Sequence, residues 1–238
     1  MTSSVYIRLA GPLQSWAGPV VSGNFVRTGM IPTSTALRGL IAGALGARRG
    51  QWPEWLEKVH FTVREDRSPI INDDFQTVGS REDEFHFRSR LAIMQGMKAS
   101  SVKQLAFKPS SGDSVTTVIR RTYLSDAEFL VRITAENYTE EIDQALASPA
   151  FSTYLGKKAF APAFPFYLGV GNASLLNLIP VVGRNEQKHA VVKIHELSMG
   201  DGFPSSQERV PQVDSRAEWF DALKDLKLVR RRTLLAGE

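Results

Sequence analysis

Two hydroxyl residues and an arginine at the start of a predicted helix have the chemistry to bind a phosphate group. Thr33 and Ser34 precede an apolar repeat that is typical of an amphipathic helix, and Arg38 follows one turn later. The free N–H groups of a helix N-terminus, the two hydroxyls and the guanidinium can all donate hydrogen bonds to phosphate oxygens. A simpler interpretation stays open, in which the hydroxyls only cap the helix and Arg38 is solvated.

The loop before this helix carries groups suited to an unpaired base. Gln14 can offer an amide to a base edge and Trp16 a stacking face, which are usual means of recognising single-stranded RNA. Trp16 could equally lie buried beneath the loop. Arg27 and Thr28 directly precede the helix and are expected to converge on the same patch, unless they form an ion pair within the loop.

The segment 74–120 is polar, basic and weakly periodic, and it is too long for an ordinary connection between strands. It is therefore predicted to be a projecting arm. Its mixture of aromatic and cationic side chains suits contact with an RNA backbone and packing against a neighbouring protein. The cations predicted to bind are Arg88, Arg90, Lys98 and Lys108.

Histidines are the candidates for acid–base catalysis, which a metal-independent endoribonuclease would require. They are His60, His86, His189 and His195. No spacing places two of them together, although the sequence leaves open whether they meet in the fold. No cluster of His, Asp and Glu has the spacing of metal ligands, and no P-loop or dinucleotide-binding glycine motif occurs. No metal and no cofactor are therefore predicted.

The length and composition indicate a folded globular protein. The chain has 238 residues, of which 42% are hydrophobic and 23% charged, and this suits one elaborated domain or a domain with a dependent extension. Since there is no Cys, disulfides and thiolate zinc sites are excluded, and a reducing, cytoplasmic location is expected. The longest apolar stretches are too short for a membrane span, and no secretory signal is recognised at the N-terminus.

The net charge of +4 is mild, but its distribution is uneven. Residues 1–50 contain five Arg and no acid, and residues 85–121 contain seven basic residues and one acid. Acidic segments lie between and after them. Segregated positive charge favours a polyanionic partner such as nucleic acid. Pairing of basic with acidic segments inside the fold is the alternative.

The elements predicted from periodicity indicate an α+β fold. Residues 5–10 alternate and predict a half-buried strand, and helix one ends at Gly46. Further strands are predicted at 59–64, 117–124, 129–134 and 166–170, with a second helix at 138–147. This order is interpreted as βαββαβ, the ferredoxin-like class. Residues 1–170 are predicted to form this domain, with 171–238 as a β-rich extension that contains a helix at 217–226.

Several stretches resemble the CasD family, the small subunit that caps the 5′ end of guide RNA in type I-E CRISPR Cascade complexes. LAGPLQSW at 9–16 and GLIAGALG at 39–46 carry the N-terminal part of the resemblance. RTYLSDAEF at 121–129 and YLGKK at 154–158 extend it along the chain. Shorter matching stretches lie at 27–28, 32–34 and 165–169.

The resemblance implies a RAMP-type, RRM-like ferredoxin fold whose thumb hairpin corresponds to the predicted arm. It also implies a non-catalytic RNA-binding subunit that holds the crRNA 5′ handle, caps the CasC backbone, contacts the CasA large subunit and meets target DNA only through the complex. At the family position of the YLGKK stretch, Gly156 is expected to let the backbone approach a phosphate, with Lys157 and Lys158 supplying charge. The alternatives are an endoribonuclease that processes CRISPR repeat RNA and a pure protein scaffold.

Overall fold

The computed structural model of this protein is mixed α+β, which confirms the predicted class. It describes residues 3–22, 25–79, 89, 93, 98, 116–183, 187–197, 204–226 and 228. Within these residues the strands are β1 (Ser3–Ala10), β2 (Leu13–Gln14), β3 (Trp16–Ser22), β4 (Phe25–Gly29), β5 (His60–Arg67), β6 (Ile70–Gly79), β7 (Thr116–Ser125), β8 (Glu128–Thr134), β9 (Tyr167–Asn172), β10 (Val181–Val182), β11 (His189–Leu197) and β12 (Ser205–Val213). The helices are α1 (Ser34–Ala44), α2 (Thr139–Ala147), α3 (Leu175–Leu178) and α4 (Arg216–Asp225), and a 3-10 helix lies at Glu54–Lys58.

The strands form two sheets. The main sheet has the order β10-β12-β11-β5-β8-β1-β9, and its neighbours are antiparallel except for β10 and β12. The other sheet has the order β2-β7-β4-β3, and β6 also pairs with β7. The helices α1 and α2 lie in the connections from β1 to β5 and from β8 to β9.

The chain divides into two compact units. The first comprises residues 1–19, 28–72 and 123–238, and the second comprises 20–27 and 73–122. The predicted domain boundary after residue 170 falls inside β9, within the first unit. The C-terminal segment does not form a layer of its own, since β11 pairs with β5 and thereby widens the main sheet. The middle of the predicted arm lies outside the described residues, and its two ends are β6 and β7.

The strand β1 is buried on both faces, so the prediction of a half-buried strand is wrong. Val5, Ile7 and Leu9 pack in the cluster that contains the buried residues of α1 and α2. Tyr6 points to the opposite face and packs in a second cluster with Trp219 of α4. The alternation along β1 was correctly recognised, but the C-terminal segment covers the second face and no local pattern reveals that cover.

The helix α1 follows the predicted apolar repeat, and Thr33 is its N-cap. The Thr33 Oγ1 accepts a hydrogen bond from the Ala36 amide at 3.3 Å, which confirms the capping role. Leu37 and Ile41 are buried on the face that meets the sheet. Gly46 follows the helix with a φ of 77°, a left-handed conformation that favours glycine.

A carboxylate shared by two arginines links β1, β8 and α4. The Arg8 Nε lies 2.6 Å from the Glu128 Oε1, and the Arg216 Nη2 lies 2.7 Å from the Glu128 Oε2. Both guanidinium groups also lie over the Trp219 ring. Burial by itself would raise the pKa of Glu128, but hydrogen bonds from and attraction to the two arginines outweigh it and hold the pKa below its usual value.

Candidate nucleic-acid interface

A groove of about 990 Å³ runs along one face of α1 in the first unit. Its floor consists of small residues, among them Ala36, Gly39 and Gly43. Its walls come from the segment after α1 and from residues 151–158. The two walls are held together by main-chain hydrogen bonds, from the Ala150 amide to the Ala44 carbonyl at 2.8 Å and from the Phe151 amide to the Gly43 carbonyl at 3.3 Å.

Three aromatic side chains in the groove walls are exposed. Trp52 is 39% exposed, Phe151 55% and Tyr154 41%. The absence of a side chain at Gly39 makes room for the Trp52 ring, because a Cβ there would lie only 3.3 Å from the Trp52 Cη2. Large aromatic faces left in contact with water cost hydrophobic free energy, and stacked bases would recover it.

The cations of the groove are Arg48, Arg49 and Lys158, and all three are exposed. Within the described part of the chain, none of them forms an ion pair, and the groove lining contains no acidic residue. The groove therefore combines positive charge with stacking faces. This combination is typical of surfaces that bind single-stranded nucleic acid.

Gln14 and Trp16 are buried, which contradicts the expectation that they face a base. The Gln14 Nε2 donates to the Ala127 carbonyl at 2.8 Å and to the Leu9 carbonyl at 3.3 Å, and the Gln14 Oε1 accepts from the Trp16 Nε1 at 3.0 Å. Trp16 is 1% exposed. The polar atoms of both side chains are used to close the loop after β1, so the alternative of a Trp buried beneath the loop is confirmed.

The other predicted residues around the start of α1 also have structural partners. The Thr28 hydroxyl accepts from the Trp16 amide at 2.7 Å and so fixes the same loop. The Arg38 Nη2 donates to the Glu57 carbonyl at 3.0 Å, so Arg38 ties α1 to the 3-10 helix, and its contact with a phosphate stays a prediction. Ser34 is half-buried as the first residue of α1.

Lys157 and Lys158 have different surroundings despite being adjacent. The Lys157 Nζ donates to the Tyr123 hydroxyl at 2.8 Å and lies 4.2 Å from the centroid of that ring. It also lies 5.9 Å from the centroid of the Phe160 ring, so two aromatic residues hold it. Lys158 is exposed in the groove, where it can meet a phosphate.

Gly156 lies in close contact with the protein's own backbone and is also exposed in the groove lining. Its φ is 84°, and a Cβ built on it would lie 1.6 Å from the Ser15 carbonyl oxygen. The Ser15 amide donates to the Leu155 carbonyl at 3.1 Å. Glycine is therefore needed here for a close contact between two loops, and its expected approach to a phosphate stays a prediction.

The remaining predicted cations lie in the second unit or outside the described residues. Arg27 is exposed on β4, and its charge helps the hydrogen-bonded Arg120 to lower the pKa of Asp73. Lys98 is exposed. Arg88, Arg90 and Lys108 lie outside the described residues, as does His86.

The three described histidines are separated in space. His195 faces Val63 across the β11–β5 pair, so both lie on the same face of the sheet. His60 is three positions before Val63 on β5 and lies on the opposite face, because side chains alternate along a strand. His189 and His195 share a face of β11 but lie about 20 Å apart along it. No two of these three can act on one phosphate.

Across the residues that the structure describes, no three acidic or histidine side chains are grouped so as to hold a metal ion. Nor does that part of the chain contain a helix with the length and apolar character of a membrane span.

Among the aromatic and cationic residues of the groove, five are absent from the sequence-based prediction: Arg48, Arg49, Trp52, Phe151 and Tyr154. The pair of arginines followed by a tryptophan in a glycine-containing loop was a usable signal for the first wall. Nothing local indicates the second wall, since Phe151 and Tyr154 lie about a hundred positions later in the chain.

Comparison with known proteins agrees with the resemblance. The family model described as CRISPR-associated protein (Cas_Cas5) matches residues 4–224. The CRISPR system Cascade subunit CasD of Escherichia coli (strain K12) is 31% identical over 242 residues, which cover 92% of this chain and 96% of that protein.

Solved structures show the same fold. A chain of a CRISPR RNA-guided surveillance complex is 24% identical, with a TM-score of 0.68 and coverage of 93% of this chain and 99% of that chain. The crystal structure of a Cas protein is 22% identical, with a TM-score of 0.55 and coverage of 87% and 95%. The family model and the E. coli relative both extend over nearly the whole chain. The chain therefore belongs to the CasD family of CRISPR-associated proteins.

Proposed function

We propose that this protein is a non-catalytic RNA-binding subunit of a CRISPR Cascade surveillance complex, and that it holds the 5′ handle of the crRNA in the groove along α1. Family membership supports the assignment to Cascade, because the E. coli relative is a Cascade subunit. The observation that carries the choice of site is the groove itself, which places three exposed aromatic rings beside three cations that form no ion pair with any described residue.

The chemistry of the groove suits an unpaired RNA segment. Stacking of a base on an aromatic side chain contributes about 1–3 kcal/mol, and it needs a ring face that is open to solvent. Trp52, Phe151 and Tyr154 meet this condition. Arg48, Arg49 and Lys158 supply the charge that neutralises the phosphates between the bases.

The residues predicted earlier then divide by role. Thr33 and Ser34 remain in the proposed site as neighbours of the groove floor. Gln14, Trp16 and Thr28 position the loop that Gly156 packs against. For Arg27, Lys157 and the arm cations Arg88, Arg90, Lys98 and Lys108, RNA contact remains a proposal.

The absence of catalysis is part of the proposal. An endoribonuclease of this chain would need two groups on one phosphate, and the described histidines lie on opposite faces or far apart along a strand. No observation favours the repeat-processing alternative.

We further propose the partners that the family implies, namely the CasC backbone, which this subunit would cap, and CasA, with target DNA reached through the complex. We also assign β1, β5, β8 and β9 to a ferredoxin-like core, because their order β5-β8-β1-β9 and the intervening helices fit βαββαβ. Assignment of the segment 74–120 to its thumb remains a proposal.

The test is one triple variant, Arg48→Gln, Arg49→Gln and Lys158→Gln, which neutralises all three groove cations. Each lost phosphate contact on a single strand lowers affinity about fivefold at 0.1 M salt, so we expect a loss of about 100-fold for labelled 5′-handle RNA. The slope of log K against log salt should also decrease by about 2.

The matched control is the triple variant Lys58→Gln, Arg67→Gln and Lys224→Gln, which removes the same charge from exposed positions outside the groove. An equal loss in the control, or no loss in the groove variant, would refute the site. Co-expression with the other Cascade subunits and sequencing of the bound RNA provides the second measurement. Uniform 5′ ends at a fixed distance from the spacer are expected, and random ends or no RNA would refute the capping role.

A further inference from the structure

The face of the main sheet that α1 and α2 cover continues over β11 and β12, where it becomes exposed from Lys193 toward His189. Leu197 at the end of β11 is still buried in the cluster with α1 and α2. At alternate positions along β11 the cover is lost, and Val191 on the same face is 70% exposed. The opposite face of these strands is buried, since Val192, Ile194 and Val210 pack with α4.

The strand register shows which side chains share the uncovered face. On β11 they are His189, Val191, Lys193 and His195, and on β12 they are the directly opposite Pro211, Arg209, Gln207 and Ser205. The acidic residues of the two strands, Glu196 and Glu208, point to the other face, because Glu196 lies opposite Thr62 on β5 and Glu208 lies opposite Val192. Charge is thus segregated between the two faces of the strand pair.

Within the described residues no ion pair joins the cations of this face to an acid, but Glu65 on β5 lies directly opposite Lys193. Lys193 and Arg209 are diagonal neighbours about 7–8 Å apart, and both are exposed. Lys188 is exposed at the entry to β11. The one acid that continues this face onto β5 is Glu65, which accepts a hydrogen bond from the Ser68 hydroxyl at 2.5 Å and lies 3.5 Å from the His195 Nε2. That carboxylate is one-tenth exposed, so it faces its neighbours more than the solvent.

This surface, formed by β11 and β12 and called here the basic sheet face, differs from the groove in one respect. Its described residues include no aromatic side chain beyond the imidazoles of His189 and His195, and Val191 is the apolar group at its centre. A surface without large stacking rings is poorly suited to unpaired bases. In a duplex the bases are stacked on one another and the phosphates are presented outward, so cations alone suffice for binding.

We propose that the basic sheet face binds the sugar–phosphate backbone of a DNA duplex, in contacts that do not depend on base sequence. The nine residues of β11 extend about 30 Å, which corresponds to roughly nine base pairs of B-form duplex. The proposal goes beyond the handle-binding function and does not depend on the groove.

The experiment measures binding of the full-length chain to a labelled 20-base-pair DNA duplex over a range of salt concentrations. The variant is Lys188→Gln, Lys193→Gln and Arg209→Gln, all at exposed positions. Each lost duplex contact reduces the slope of log K against log salt by about 0.9, so we expect the slope to decrease by about 2.7 and the affinity at 0.1 M salt to fall several-hundredfold.

The groove variant with Gln at 48, 49 and 158 is the matched comparison, because it removes the same net charge. We expect it to lose handle RNA and retain the duplex, and the face variant to lose the duplex and retain handle RNA. Equal losses of duplex in the two variants would show a bulk charge effect and overturn the proposal. An equal loss of single-stranded RNA and duplex in the face variant would overturn the duplex assignment.

Two other results would overturn it. One is that the wild-type chain binds no duplex. The other is that the face variant keeps its duplex affinity but fails to assemble with its partner subunits, which would make the surface a protein interface. The affinity for handle RNA, measured in parallel, separates the two proposals. If the groove variant binds handle RNA as tightly as the wild type, the proposed function is refuted and the duplex proposal is unaffected.

Discussion

Gly43 offers a way to fill the proposed RNA groove without disturbing the fold. A Cβ built on this residue meets no heavy atom within 4 Å, and the residue lies in the groove floor on α1. Its backbone is helical, so a larger side chain is not strained there. We therefore predict that Gly43→Leu projects a side chain into the groove and blocks RNA.

The substitution is expected to increase the stability of the fold and to weaken RNA binding. Replacing Gly by Leu inside a helix stabilises it by about 0.8 kcal/mol, and roughly half of that applies to the second-last residue of α1. Loss of one stacked base costs about 1–3 kcal/mol of binding free energy, which is about 5-fold to 150-fold in Kd. The variant should thus be slightly more stable and bind handle RNA more weakly.

The assay is a titration of labelled handle RNA, with urea unfolding of the same preparations. Ala217→Leu serves as control, because it adds the same side chain at an exposed position of α4 outside the groove. If Gly43→Leu folds normally and binds RNA as tightly as wild type, then RNA does not occupy the groove and the reasoning is refuted.

Two further outcomes concern stability. Gly156→Ala should lower the free energy of unfolding by about 3 kcal/mol or more, because the added Cβ overlaps the Ser15 carbonyl oxygen and the φ of 84° disfavours a side chain; an unchanged urea midpoint would contradict the close contact. Glu128→Gln should cost about 3–5 kcal/mol at pH 7, since it leaves Arg8 and Arg216 without their shared anion. The pKa of Glu128 in the folded state is below its usual 4.5, so the stability that its carboxylate contributes is complete above about pH 4.5 and is lost as pH falls below that. The unfolding free energies of wild type and variant should therefore converge in acid. A constant difference from pH 7 to pH 3 would count against the ion pair.

Local patterns in the sequence predicted the elements that depend on neighbouring residues. The alternation at 5–10 and the apolar repeat behind Thr33 correspond to β1 and α1. The second face of β1 was missed because its cover comes from α4, more than 200 residues later. The bond from Arg38 to the Glu57 carbonyl was not predicted, because Glu57 belongs to a 3-10 helix that no apolar periodicity reveals.

The candidate site was predicted only in part, for the same physical reason. Lys158 was identified, but its neighbour Lys157 is held by Tyr123, a residue more than 30 positions away. The groove joins two walls whose contact depends on hydrogen bonds between α1 and residues 150–151. Spacing along the chain carries no information about such a junction, and a buried Gln14 looks the same in sequence as an exposed one.

The central position of β1 also governs how the nascent chain can fold. Val5 pairs with Ile133 on one side and with Val170 on the other, so β1 has no partner in its sheet until synthesis has passed residue 133. At about 5–20 residues per second, the wait from residue 5 to residue 133 is roughly 6–25 s. Throughout that interval an apolar strand with two open edges is exposed to other chains. Slowing synthesis between residues 10 and 133 should therefore increase aggregation of the newly made protein, and an unchanged aggregated fraction would contradict this expectation.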